Sequence, residues 1–408
     1  MSFLGSAGGA RRAGATLLRH RLISATAATA AAVIVAGCAF AASAHGSGQV
    51  KAVSAGDSKQ LGKTSAPASG AGDLRLLSVS PKGGTRAANG GAPITLTFSS
   101  ALAPTTPLPT LSPKIAGSWQ VSGKTATFTP SAGFLPDTTV KLTVPGGKTG
   151  MAGASADTLE QASTLTFTTG SYSTLGLQQL LTRLGYLPLN WTAASGSAAS
   201  GSAISLNEAV STAYDPPAGT FTFKSGYPSQ LTSQWQAGQD NILDTGAIRA
   251  FEYNQGLTMD GVAGSQVWAT LLTAAAKDQA DPSGYTYALA SQDSPNETLK
   301  VWHNGKLILN TPANTGIAGA STADGTFPVY EKLQFQVMKG TNPDGSKYAD
   351  PVYWISYFDG GDAVHYFDRA SYGWYQSLGC VELPLTPAKF IWSYLTYGSL
   401  VTVTGPVA

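Results

Sequence analysis

Cysteine is almost absent from this chain, and charge is scarce. Only two cysteines, Cys38 and Cys380, and four histidines occur in 408 residues. The two cysteines lie on opposite sides of an expected processing site, so no disulfide is expected. Charged residues make up 12% of the chain, and the formal net charge is +2. That scarcity argues against nucleic acid as a partner, because phosphate binding needs clustered Lys and Arg. What is abundant is Gly (47) and Pro (23), with many Ser, Thr and Ala. This composition points to strands and turns more than to helical bundles. Hydrophobic residues, 43% of the total, supply material for several cores, and the length fits two or three domains of about 100–200 residues each.

Residues 1–44 read as an export signal. Arg11, Arg12, Arg19 and Arg21 form a basic start, and an apolar Ala-rich run from Leu22 to Ala36 follows. The run is shorter than the ~20 residues that a membrane span needs. It ends in Val35-Ala36-Gly37-Cys38, which resembles a lipobox with Cys38 as the lipidated residue; cleavage after Ala42-Ser43-Ala44 is the alternative. The expected location is the cell wall or the extracytoplasmic face of the membrane, with membrane contact only through such an N-terminal anchor. Residues 45–73 form a Gly/Ser/Ala/Lys tether without apolar periodicity.

From 74 to 170 the pattern alternates. Pro93 to Phe98, Thr125 to Pro130, Val140 to Val144 and Ser163 to Thr169 each show a period of two, and Leu135-Pro136-Asp137-Thr138 reads as a turn. Short strands with Gly/Pro punctuation predict a β-sandwich, and the stretch resembles bacterial Ig-like domains. No titratable cluster marks it, so it is read as a spacer or docking module.

Residues 171–276 change character. Leu177, Leu180, Leu181 and Leu184 fall on one face of a helix that Gly185 stops. Ala247 to Phe251 and Gly264 to Leu272 predict two more helices around a turn at Gly256 to Gly261. This part resembles a small three-helix peptidoglycan-binding domain; whether it binds glycan or peptide or only packs stays open. Asn190 to Asp240 reads as an insertion with a mobile Ser/Gly-rich start and a small strand at 221–223.

Residues 283–408 predict a β-rich domain with one packed helix. Tyr285 to Ser291, Leu299 to His303, Lys306 to Asn310, Gln334 to Met338, Tyr353 to Phe358 and Leu400 to Thr404 read as strands, with an Asn304-Gly305 hairpin turn beside His303. Thr386-Pro387 predicts a helix start with Thr386 as the cap, Phe390, Ile391, Tyr394 and Leu395 its buried stripe, and Gly398 its end. The whole is therefore multidomain and mainly β.

The chemistry concentrates between Asp362 and Leu383, DAVHYFDRASYGWYQSLGCVEL. It holds Cys380 and, fifteen residues earlier, His365. A thiolate nucleophile needs a base or cation beside it, and backbone N–H groups facing a developing oxyanion. Gly379 lets the chain turn so as to present them. Asp359, Asp362 and Asp368 have only Gly and aromatic neighbours, so they read as solvated carboxylates, and no metal or cofactor is expected.

His365, followed by Ser377-Leu378-Gly379-Cys380, resembles the catalytic end of the L,D-transpeptidases of the YkuD type. Asn314 to Lys332 resembles their upstream strand-and-turn segment. Three residues depart from the pattern: Leu378 replaces the motif histidine, Glu382 the usual Arg or Asn, and Tyr366 the small residue after the first His. The resemblance implies that His365 acts as base and Cys380 as nucleophile. It implies an oxyanion hole from the N–H groups of Gly379 and Cys380, with Tyr348 as a further donor. Ser377 would position the turn, and Tyr366 would orient the base. Tyr372, Trp374 and Tyr375 either line a substrate groove or pack the loop. The implied partners are peptidoglycan stem peptides, with carbapenem-type β-lactams as acylating inhibitors. The implied product is a cross-link between third residues of two stems. Two other outcomes stay open: an L,D-carboxypeptidase on the same site, or a non-catalytic wall-binding protein with a degenerate site.

Overall fold

The structure is a computed structural model that describes residues 73–194 and 204–406. The export signal, the lipobox with Cys38, the tether before Asp73 and the Ser/Gly-rich start of the insertion at 195–203 lie outside the described residues. Among the described residues no helix is long and apolar enough to cross a membrane.

The N-terminal body is a two-sheet sandwich. One sheet has the order β1 (Leu76–Ser80), β2 (Ile94–Phe98), β5 (Thr125–Pro130), β4 (Gly117–Ser122); the other has β3 (Thr110–Ser112), β6 (Thr139–Val144), β7 (Ser163–Thr168). Alternation decides which face is buried. Ile94, Leu96 and Phe98 of β2 point into the core with Val140, Leu142 and Val144 of β6, while the intervening threonines and Lys141 face out.

The helical module follows, with α1 (Thr174–Arg183), β8 (Leu189–Ala193), α2 (Leu206–Tyr214), β9 (Gly219–Phe223), α3 (Ser229–Thr232), α4 (Ile242–Gln255) and α5 (Ser265–Ala276). Leu177, Leu180, Leu181 and Leu184 are buried as their spacing requires. The insertion holds more order than its composition suggests. Strands β8 and β9 pair as a hairpin, and α2 opens on a capping box in which Ser205 and Glu208 satisfy each other's backbone N–H groups. The module shares one core with the domain that follows, because Tyr285, Tyr287 and Leu400 pack in the same cluster as Leu243, Ala247 and Leu271. Its helix α4 comes so close that a Cβ on Gly246 would lie 2.7 Å from the Gly398 carbonyl oxygen.

The C-terminal domain is built from three sheets. A five-stranded one runs β12 (Lys306–Pro312), β11 (Thr298–His303), β10 (Thr286–Ser291), β20 (Leu400–Thr404), β14 (Gly325–Pro328). A four-stranded one runs β15 (Glu331–Thr341), β16 (Lys347–Asp359), β17 (Asp362–Tyr366), β19 (Val381–Leu383). Strands β13 (Thr315–Gly316) and β18 (Tyr375–Ser377) pair between them. The single helix α6 (Leu385–Trp392) packs on β16, β17 and β12.

Two details of α6 differ from the sequence expectation. The helix starts at Leu385 behind Pro384, so Thr386 sits inside the first turn and makes no capping bond. It ends at Trp392 with Ser393 as C-cap, and Gly398, at φ +79°, instead turns the chain into β20. Ile391 and Leu395 are buried, but Phe390 is 43% exposed, because it lies on the flank of the short helix turned from the core.

Candidate active site

Strands β17 and β19 are parallel neighbours, with Val364 opposite Val381 and His365 opposite Glu382. Buried Ala363, Val364, Val381 and Leu383 anchor both strands. Cys380 therefore enters β19 beside the strand that carries His365. The turn before it depends on two residues. Ser377, 1% exposed, donates its hydroxyl to the Cys380 carbonyl at 2.5 Å and accepts the Gly379 N–H at 3.2 Å. Gly379 has φ +112°, a conformation that L side chains avoid, and a Cβ there would lie 2.2 Å from Asp362 Oδ1.

His365 is 3% exposed. Its Nδ1 lies 3.0 Å from the Tyr366 carbonyl oxygen. A carbonyl only accepts, so Nδ1 carries the proton and Nε2 keeps a free lone pair. Burial pulls the imidazole pKa below its ordinary value; the Tyr366 carbonyl and the Glu382 carboxylate oppose that shift, while Arg369 adds to it. The Cys380 thiol is pushed up to about 12, first by burial and then by the charges of Asp362 and Glu382, against a favourable contact with the Ala363 backbone. Its Sγ sits 3.8 Å from the Gly361 carbonyl oxygen. Both shifts favour a neutral imidazole and a protonated thiol over a preformed ion pair.

Both residues line one open cavity of about 730 Å³. Tyr348 and Leu378 line it as well, together with Met338, Phe367, Gln376 and four carboxylates, Asp344, Asp350, Asp362 and Glu382. Asp362 has its pKa pushed up to about 6 by burial and by the neighbouring Asp359. Among the described residues no three His, Cys, Asp or Glu side chains converge to hold a metal.

The other candidate residues take the following places. Tyr366 packs its ring near Tyr353, at 6.5 Å, and it is its backbone carbonyl that touches the base. Of the two amides expected to face an oxyanion, that of Gly379 is already given to Ser377, because the hydroxyl lies inside the turn. The aromatics Tyr372, Trp374 and Tyr375 do not line the cavity. Tyr372 donates to the Phe367 carbonyl at 2.6 Å, Tyr375 donates to the carbonyls of Gln292 and Pro406, and Trp374 is 47% exposed. Their loop is held from the other side, where Asn314 Oδ1 accepts the Gly373 N–H at 3.0 Å and the Gln376 amide at 3.2 Å.

Sequence reasoning missed Arg369. Its guanidinium grips the Glu382 carboxylate at 2.7 and 2.8 Å and reaches the Gln376 carbonyl at 2.9 Å. The signal was available: Arg369 is the only cation between His365 and Cys380, and a carboxylate two residues past the nucleophile needs a counter-charge.

Residues 287–403 match the family model YkuD, described as an L,D-transpeptidase catalytic domain, and residues 71–169 match Big_5, a bacterial Ig-like domain. None of the curated proteins matches the chain. Among solved structures the chain is similar to an L,D-transpeptidase from Mycobacterium smegmatis, at 13% identity over 82% of this chain and 100% of that one, TM-score 0.27. It is similar to L,D-transpeptidase 3 from Mycobacterium tuberculosis in complex with a faropenem-derived adduct, at 13% identity over 81% and 98%, TM-score 0.27. It is also similar to the catalytic domain of the L,D-transpeptidase of E. faecium, at 28% identity over 29% and 96%, TM-score 0.27. By the two family models, the chain carries a YkuD-type L,D-transpeptidase catalytic domain at residues 287–403 with a bacterial Ig-like domain ahead of it at residues 71–169.

Proposed function

We propose that the chain is an exported cell-wall L,D-transpeptidase that joins the third residues of two peptidoglycan stem peptides through an acyl-enzyme on Cys380. One observation carries this: His365 and Cys380 line the same cavity, on β17 and at the entry to the neighbouring β19, in a domain that matches the family model.

With the thiol at about 12, deprotonation belongs to the bond-forming step. His365 Nε2 takes the proton as Sγ attacks the carbonyl between the third residue and the terminal D-Ala of a tetrapeptide stem. The oxyanion faces the Cys380 N–H, with the Tyr348 hydroxyl as a second donor. Collapse breaks the C–N bond, and His365 returns its proton to the departing D-Ala amine. The side-chain amine of a second stem then attacks the thioester. His365 accepts that amine's proton, the new amide forms, and the thiolate leaves and is reprotonated by His365. The described structure of Cys380, His365 and Ser377 is intact despite Leu378 and Glu382, which supports catalysis over a decayed site. The N-terminal segment with Cys38 would keep the enzyme at the extracytoplasmic face.

Intact mass of the full-length chain after incubation with a carbapenem tests the site. The expected result is a stable adduct that Cys380→Ala abolishes. A folded wild-type protein without adduct would overturn the acyl-transfer reading. Stem tetrapeptide as substrate then assigns the acceptor: a cross-linked dimer supports transpeptidation, and a free tripeptide would replace it with hydrolysis.

A further inference from the structure

The residue two positions past the nucleophile departs from its family pattern, and the structure shows what it does instead. Glu382 is 4% exposed and sits opposite His365 in the sheet. An ionised carboxylate so placed costs several kcal/mol unless it is paired and hydrogen-bonded. Arg369 supplies that partner in a fork of two bonds, at 2.7 and 2.8 Å, the geometry in which Arg and carboxylate bind most firmly. The fork is anchored on both sides. Asn314 donates its amide to Glu382 at 3.2 Å and exchanges backbone bonds with it at 2.9 and 3.0 Å. The guanidinium lies 4.6 Å over the Phe367 ring.

We propose that Arg369 and Glu382 form a positioning pair for His365 and Cys380, in which Arg369 balances the carboxylate that Glu382 places beside the base and ties the loop after the base to the strand after the nucleophile. Both residues line the cavity, but their side-chain hydrogen bonds run to each other, to Asn314 and to the Gln376 carbonyl rather than to Sγ or the imidazole. The pair acts through geometry, by locking β17 to β19, and through charge, by leaving the imidazole facing a neutral ion pair. Glu382 and Arg369 are the charged groups that act on that imidazole, and Cys380, Asp362, Asp350 and Tyr348 line the same cavity. Lys389, from α6, lies over Trp354.

The proposal rests on the transpeptidase reading, so its test needs a readout that survives failure of that reading. NMR titration of His365 in the full-length protein is such a readout, and the chain has only four histidines to assign. The rate of imipenem acylation against pH is the second. In Glu382→Gln the guanidinium stays charged, so the His365 titration and the acid limb of acylation should move to lower pH by about 1 unit. Arg369→Met should slow acylation by about tenfold or more, and Arg369→Lys should recover part of it, because lysine keeps the charge and loses the fork. The double variant Arg369→Met/Glu382→Gln should titrate close to wild type yet acylate more slowly. If Glu382→Gln titrates and reacts as wild type, the proposal is overturned. If the single variants fail to fold, a double variant that reacts at the wild-type rate at every pH overturns it as well. Wild type that titrates as expected but never acylates would sink the transpeptidase reading instead.

Discussion

The Ig-like sandwich and the catalytic domain are built from the same material, short strands punctuated by Gly and Pro, yet they differ in what they bury. In the sandwich the buried polar side chains among the described residues are two threonines, Thr106 and Thr169. Each is satisfied locally: Thr106 accepts the Ala152 N–H at 2.7 Å, and Thr169 donates to the Leu135 carbonyl at 2.7 Å. The catalytic domain buries many more, several threonines and serines of its sheets and also Gln292, Glu297, Asn314, His365, Ser377 and Glu382, of which the last four meet around one turn. Burying such groups is unfavourable for stability. The buried imidazole and the buried Glu382 carboxylate of the C-terminal domain line a cavity, and the sandwich buries no titratable side chain among the described residues.

Four substitutions sharpen or break that contrast. The largest effect is expected from His365→Asn, which should lower the carbapenem acylation rate by about 10²–10⁴-fold, the usual worth of a general base. Stopped-flow absorbance at constant fold, checked by circular dichroism, measures it; an unchanged rate would remove His365 from the chemistry. Next is Gly379→Ala. The added methyl meets Asp362 and the positive φ at once, so the turn that presents the Cys380 N–H should shift and acylation should drop by about 100-fold, as for loss of an oxyanion donor. Leu142→Ala, in the sandwich core at 0% exposure, should cost about 3 kcal/mol in denaturant unfolding. Acylation should not move, and a parallel loss would show that the two bodies are less separate than their burial suggests.

The smallest effect belongs to the helical module. Burial pushes Asp244 from 3.8 up to about 7 and Glu252 from 4.5 up to about 7. Asp244 Oδ1 and Glu252 Oε1 are buried without hydrogen-bond partners. Folded values above the ordinary ones mean that the fold holds these protons more tightly than the open chain does. The stabilisation is complete below about pH 4 and is lost as pH rises towards about 7. Asp244→Asn should therefore flatten the profile and gain about 2–4 °C in Tm at pH 8, the equivalent of about 1 kcal/mol. A Tm that falls at pH 8 would mean that the carboxylate is needed ionised.

Much of this was legible in the sequence, and the misses share a cause. Periodicity revealed β2, β6 and α1 because each buries one face against a core. Rarity singled out Cys380 and His365, which line one cavity. The register of α6 slipped because Thr386-Pro387 satisfies a helix-start pattern that Pro384 pre-empts. Helix α2 hid inside an apparent insertion although Ser205 and Glu208 carry a capping signature. The aromatics from Tyr372 to Tyr375 were indistinguishable from groove residues, because residue type does not say which side of a loop faces the cavity. The Arg369–Glu382 pair spans thirteen positions and a strand crossover, a distance over which only tertiary structure brings charges together.

The approach of Gly246 to Gly398 has a further consequence. Where two backbones touch and Tyr285, Tyr287 and Leu400 complete a neighbour's core, the helical module and the catalytic domain depend on each other for burial. Recombination at residue 283 would divide the chain between motifs but through a shared interior, and leave both pieces with uncovered apolar surface.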